Sequence, residues 1–143
     1  MKVFYFADKL HLSKYGRFMF GETYVAMPKG HVPSTIYDMI KFIRGDGSKE
    51  FDPELKKSII VDGNKIKAIQ PANLDYLSPS EIECLNNAID EFGKLNHSLV
   101  FFKSHKDHAY KVTPVNSDIA IDDIVDSLDN KNTIKEYLNN LYE

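Results

Sequence analysis

Asp8, His11 and Tyr15 stand at i, i+3 and i+7, a spacing that puts all three on one helix face. A carboxylate beside an imidazole is a fragment of a nucleophilic triad. No serine or cysteine completes it in a recognisable setting, because the sequence has no Gly-x-Ser-x-Gly elbow. The expectation is a helix-surface pair worth a few tenths of a kcal/mol. His105 and His108 lie three apart, with His97 and Cys84 further off. Zinc pairs of histidines usually have at least one more residue between them, and no second pair joins this one. One hydrogen-bonded histidine, one surface histidine and no metal are expected. Gly45-Asp46-Gly47 lacks the third glycine of a dinucleotide loop and follows a helical pattern rather than a strand. There is no Walker-type Gly-Lys-Ser/Thr, and the aspartates after residue 118 lack the glycine and closing glutamate of a calcium loop. Cys84 falls two residues after Ile82 in an amphipathic stretch and reads as a small core or boundary residue. These residues predict no enzyme and no cofactor.

The elements that position these side chains are mostly helical. Residues 2–14 read as a helix, with Val3, Phe6, Ala7 and Leu10 at helical spacing and Gly16 as its stop. Residues 18–27 partly alternate, with Phe18, Phe20, Tyr24 and Ala26 on one side, and read as extended. Pro28, Gly30 and Pro33 mark a loop. Ser34 is the expected N-cap of a helix over 35–44, where Ile36, Met39, Ile40 and Ile43 share a face and Gly45 ends it. Residues 45–53 form a polar loop and the best internal hinge. Two β-prone runs flank Asp62-Gly63, a strong hairpin signal, and Pro71 ends the second. Ser78-Pro79-Ser80-Glu81 is a capping box. It opens a helix with Ile82, Leu85, Ile89 and Phe92 on one face, ended by Gly93. A short helix over 97–110, broken near Ser104, is followed by two helices at about 119–128 and 133–142. The fold class expected is mainly α (α+β), a compact helical domain with one small β-hairpin or short antiparallel sheet. No βαβ repeat calls for a doubly wound sheet.

A chain of 143 residues suits one domain over 1–143 and needs no disulfide or metal to fold. Its 43% hydrophobic and 12% aromatic content excludes a disordered or collagen-like chain. One cysteine excludes an internal disulfide and suits a reducing compartment. No apolar run approaches the ~18 residues of a membrane span. Asp8, Lys9, His11 and Lys14 interrupt the N-terminus, unlike a signal peptide. A cytoplasmic protein without a membrane partner is expected. A net charge of −3 leaves no footprint for nucleic acid. The charge is uneven: Asp118 to Glu143 holds seven acidic residues against two basic ones, a net of −5, which leaves +2 on the rest. The plain reading is a solvated face. The sharper reading is a handle for a basic partner, with Asp122 and Asp123 as candidate contacts.

Tyr5-Phe6-Ala7-Asp8-Lys9-Leu10-His11-Leu12 with Tyr15-Gly16-Arg17 resembles the opening motif of the SocA-like, Panacea-domain family. So does Gly21-Glu22-Thr23-Tyr24-Val25-Ala26-Met27, followed by Gly30, Val32, Pro33, Ser34 and Tyr37. Leu77-Ser78 with Glu81, Phe92-Gly93, and Ser104-His105 with Asp107, Ala109 and Tyr110 resemble its later landmarks. The matched part runs over about 3–110, and the acidic helical segment 118–143 lies outside it. The family is one of antitoxins encoded beside a toxin, and of phage-associated proteins related to GepA. The resemblance implies a cognate toxin protein as partner and neutralisation by binding, not catalysis. In SocA-type systems the antitoxin also delivers the toxin to an ATP-dependent protease, a mode the resemblance leaves open for this chain. The alternative is a phage- or prophage-encoded interaction or protease-adaptor protein acting on a host protein without a cognate toxin. A homo-oligomer is compatible with the sequence. The family's Gly-Pro-Val stands here as Gly30-His31-Val32, which frees a backbone N–H and predicts a relaxed turn.

In the matched stretch, Asp8 sits beside the apolar Phe6 and Ala7, and a half-buried carboxylate needs partners. Tyr37 and His105, both in the matched set, are the expected partners in a polar cluster of Asp8, Tyr37 and His105. Phe101 and Phe102 are adjacent and point to different sides of a helix. One reading buries both between two layers, and the other leaves one as an exposed partner-binding anchor.

Overall fold

The computed structural model describes residues 1–141. Glu143 and the end of the helix expected over 133–142 lie outside the described residues. Helix α1 (Lys2–Tyr15) is the element around which the rest is arranged. It buries Tyr5, Ala7, Asp8, His11 and Leu12, a wide arc that carries two polar residues as well as three apolar ones. Gly16 ends it in the left-handed region, φ 71°, with its N–H on the Leu12 carbonyl at 2.9 Å. The Tyr137 ring lies against Gly16, where a Cβ would come within 2.4 Å of it. Conformation and space both require glycine there.

Strands β1 (Tyr24–Met27) and β2 (Gly30–Pro33) form an antiparallel hairpin. Residues 28–33, which their prolines and glycine mark as a loop, hold the turn and β2. Pro28 lies in the two-residue turn and Pro33 at the end of β2, so the prolines punctuate the hairpin without breaking its ladder. The other edge of β1 is taken by the chain after residue 115. Asn116 N–H donates to the Ala26 carbonyl (2.7 Å), Ala26 N–H to Ser117 (2.9 Å), and Ile119 N–H to Tyr24 (2.7 Å). The acidic segment is therefore docked where it starts. Its helices α6 (Ile121–Asp126) and α7 (Lys131–Leu141) bury Ile124, Val125 and Ile134 in the core beside Tyr5, Leu12 and Tyr24.

Helix α2 (Ser34–Arg44) begins one residue earlier than expected, with Pro33 rather than Ser34 at its cap position. Its free amides are met from a distance: Thr35 N–H (3.1 Å) and Ile36 N–H (3.0 Å) donate to the Glu22 carboxylate. A carboxylate at this end also complements the helix dipole. Glu22→Ala is expected to lose about 1 kcal/mol, the usual worth of a cap. A urea melt of the single variant checks it. A stability unchanged from the parent chain would show that water caps α2 equally well.

Strands β3 (Ile59–Asp62) and β4 (Lys65–Ala68) make the second hairpin. Its turn is Gly63-Asn64, one residue later than Asp62-Gly63, with Gly63 at φ 57°. Helix α3 (Pro79–Ala88) opens with the expected capping box of Ser78 and Glu81 and with Pro79 at its first position. A π-turn over Ile89–Gly93 follows. Of the expected row Phe92 is buried, Ile82 and Leu85 are half-buried and Ile89 is 45% exposed, while Ala88 and Cys84, one and two turns before Phe92, complete the buried face. Helices α4 (His97–Lys106) and α5 (His108–Val112) are separated at Asp107 rather than near Ser104. Asp107 is in extended conformation and its carboxylate accepts from Tyr110 N–H, which starts a new helix.

Candidate functional site

Asp107 is the centre of the largest polar cluster. Its Oδ1 accepts from the Tyr5 hydroxyl at 2.8 Å and from His31 Nε2 at 3.2 Å. Its Oδ2 takes the ammonium of Lys9. An ionised carboxylate only accepts, so His31 Nε2 carries the proton. Nδ1 then accepts from the Ser104 hydroxyl at 2.8 Å. The His31 ring lies flat on Tyr5, with centroids 3.6 Å apart. Five side chains from α1, β2 and the α4–α5 junction thus meet at one point. Burial pushes the Asp107 carboxyl up, but the hydrogen bonds from His31 and Lys9, the charge of Lys9 and the Tyr5 hydroxyl outweigh it. The net effect holds it well below the usual carboxylate range. Burial, with Asp107 alongside, pushes the Tyr5 hydroxyl well above its usual range. Burial lowers the basicity of His31, although the Asp107 carboxylate beside it works the other way.

A second cluster sits on the same helix. Asp8 accepts from Met19 N–H (2.6 Å), Phe20 N–H (3.1 Å) and the Tyr24 hydroxyl (2.6 Å). Burial holds its carboxyl above the usual range despite these three donors. His11 reaches the Arg17 carbonyl with Nδ1 (2.8 Å) and the Ser80 hydroxyl with Nε2 (3.0 Å). The carbonyl fixes the proton on Nδ1, so Ser80 donates to Nε2. This ties α1 to the first turn of α3.

The expected cluster of Asp8, Tyr37 and His105 does not form. The amides of residues 19 and 20 follow α1 closely in the chain and reach Asp8 first. His105 instead meets the Phe101 carbonyl (2.9 Å), the Pro28 carbonyl (3.1 Å) and Tyr110. Tyr37 lies under Lys41, whose Nζ is 4.8 Å from its ring centroid. The surface pair expected from Asp8 and His11 is corrected too: both are 0% exposed. Neither Phe101 nor Phe102 is core, at 38% and 53% exposure. Phe101 stacks on His105 at 3.8 Å, and Phe102 lies beneath Lys106. Asp122 and Asp123 open the first turn of α6, Asp122 exposed and Asp123 half-buried. His108 is exposed, and Cys84 is buried. Among the described residues no group of three or more His, Cys, Asp and Glu side chains is placed to hold a metal ion.

His31 and Lys9 were missed as site residues. The turn that loss of the proline was expected to relax is held instead. The freed His31 N–H points at Ser104 Oγ (3.4 Å), and the imidazole fills the space between Tyr5 and Asp107. Gly30 beside it has φ 112°, and a Cβ there would lie 2.2 Å from Ser104 Oγ. Ser104, His31 and Asp107 carry the residue types of a hydrolytic triad. Ser104 and His31 are 0% exposed, so no substrate reaches the hydroxyl. Among the described residues no buried side-chain nitrogen or oxygen lacks a partner. What the arrangement does is clamp elements distant in sequence.

Fold and clusters together define a class: a mainly α domain with small hairpins, whose buried polar side chains are spent on joining its elements. The family model for the antitoxin SocA-like, Panacea domain matches residues 1–111, and the chain belongs to that family. The match takes in both polar clusters and leaves out α6 and α7. Neither the curated proteins nor the solved structures give a match.

Proposed function

We propose that this protein is the antitoxin of a toxin–antitoxin pair and neutralises a cognate protein toxin by direct binding. Membership of the antitoxin SocA-like family over residues 1–111 is the observation that carries the reading. The inward placing of the clustered polar groups is in keeping with a binding protein rather than a catalyst. The toxin-facing surface is assigned to α4, where Leu99, Phe101 and Phe102 are 47%, 38% and 53% exposed. Aromatic side chains on an exposed helix are common anchors of protein interfaces. Asp122 and Asp123, at the start of α6, supply charged contacts to a basic part of the partner.

The test is a growth assay with the adjacent reading frame. Expressed alone it is expected to arrest growth, and this chain is expected to restore it. Phe102→Glu should weaken the complex at least about tenfold, as for a hot-spot aromatic, while leaving the thermal melt unchanged. A harmless neighbour removes the antitoxin reading. It would favour an interaction or protease-adaptor protein acting on a host protein in the cytoplasm.

A further inference from the structure

Helix α2 is strongly two-sided, yet none of its residues is fully buried. Ile36, Met39, Ile40 and Ile43 share one face and line an apolar cavity of about 320 Å³. Ile59 and Ile66 of the second hairpin, with Phe4 and Leu55, make the rest of its wall. Ile66 remains 52% exposed there, and every residue of β4 is exposed. The hairpin has only two strands, β3 and β4.

The register fixes what β4 offers. Lys65 pairs with Asp62 across the turn and Lys67 with Ile60. A two-residue turn makes the closing pair hydrogen-bonded, and antiparallel pairs then alternate. Lys65 and Lys67 direct their backbone groups to β3, while Ile66 and Ala68 direct theirs outward. Side chains alternate as well. Ile66 faces the apolar cavity and Lys65 and Lys67 face the other side. Neither lysine makes an ion pair among the described residues, although Asp62 stands across the hairpin from Lys65, and Lys67 stands across from Ile60.

We infer that the free edge of β4 binds an extended segment of a partner protein in which apolar and acidic side chains alternate. The partner's strand extends the hairpin by backbone hydrogen bonds to Ile66 and Ala68, the mode known as strand addition. Its apolar side chains lie beside Ile66 and cover the stripe on α2. Its acidic side chains lie on the opposite face, beside Lys65 and Lys67, where opposite charges are favourable cross-strand neighbours. Lysines also deter edge-to-edge pairing of like strands. Two copies of this hairpin would set lysine against lysine, so the charge favours an acidic partner over a second copy. The inference goes beyond the antitoxin reading, and its test needs no toxin.

The probe is a synthetic peptide alternating glutamate with valine or isoleucine, with a lysine counterpart and a scrambled control, measured by calorimetry on the full chain. The acidic peptide is expected to bind and the lysine peptide to bind at least tenfold more weakly. Reversing both charges, Lys65→Glu with Lys67→Glu, should invert that preference. Ile66→Pro removes an outward donor without removing a bond inside the hairpin. It should abolish binding with an unchanged melt. The inference is overturned if millimolar acidic peptide does not bind, or if both charged peptides bind alike. Binding untouched by Ile66→Pro overturns it too. So does capture of the chain by anionic lipid vesicles in place of the peptide, or self-association that the charge reversal abolishes.

Discussion

Asp107→Ala is expected to remove about 3–5 kcal/mol of folding stability, because it leaves buried donors unpaired as well as breaking a half-buried ion pair. The substitution strands more than a lysine. Tyr5 and His31 each lose their acceptor in a place water does not reach, and Tyr110 loses the cap that starts α5. Small domains have only about 5–15 kcal/mol in all, so much of the population should unfold at modest urea. Lys9→Ala should cost far less, because the Lys9 head is partly in solvent and the carboxylate keeps its other donors. Urea midpoints of the two variants check this, and equal losses would show that the ion pair, not the hydrogen-bonded cluster, carries the energy. The same site sets a pH dependence. The Asp107 carboxyl is held below its unfolded value, so its contribution is present above about pH 4 and fades as pH falls towards the folded value. His31 is less basic in the fold than in the unfolded chain, which takes up its proton first as pH falls through about 6.5. Both effects make stability rise with pH through the acid range.

Asp8→Asn is expected to cost on the order of 3 kcal/mol, although it changes the side chain by one atom. The carboxylate faces three donors, two backbone amides and the Tyr24 hydroxyl. An amide group offers one oxygen and turns an NH₂ group towards donors that need an acceptor. Hydrogen exchange at Met19 and Phe20 should speed up in the variant before the rest of the chain does. Unchanged protection at those amides would mean the segment is held by its apolar packing alone. Asp8 opposes the other two groups in its pH response. Its carboxyl lies above its unfolded value, so what it contributes is full below that value and declines as pH rises through the folded one.

Local features were legible in the sequence. The capping box at Ser78 and Glu81, the glycine stops at Gly16 and Gly45, and the extent of α1 are settled by neighbours a few residues apart. The β1–β2 hairpin was hidden because Pro28 and Pro33 read as breakers, and only the turn geometry shows that neither interrupts a ladder. The cap of α2 was credited to Ser34, the adjacent residue of the right type, when Glu22 supplies it from a dozen positions away. The row through Ile89 holds at Phe92 and in part at Ile82 and Leu85, but the small residues Cys84 and Ala88, which apolar spacing does not single out, form the buried side of α3. Asp8 was correctly singled out as a carboxylate needing partners, but sequence order alone could not choose among donors. Tyr5, Ser104 and Asp107 all fell within the matched motifs. His31 stood where those motifs have proline, so its position read as a loss when it is a buried contact.

The spans bridged by α1 bear on how the chain is made. Tyr5 meets Asp107 across 102 positions, and Ser13 meets Asn130 across 117. A ribosome adds roughly 5–20 residues per second, so α1 emerges several seconds before Asp107 and Asn130, its most distant partners. During that interval Phe4 and Tyr5 can meet Phe20, Tyr24 and His31, but Phe6 lacks the Phe92 ring it stacks on and the Tyr5 hydroxyl lacks its acceptor. Among the described helices α1 is made before the others, yet its longest-range contacts close last, and the nascent chain depends on that delay passing without an encounter with another apolar surface.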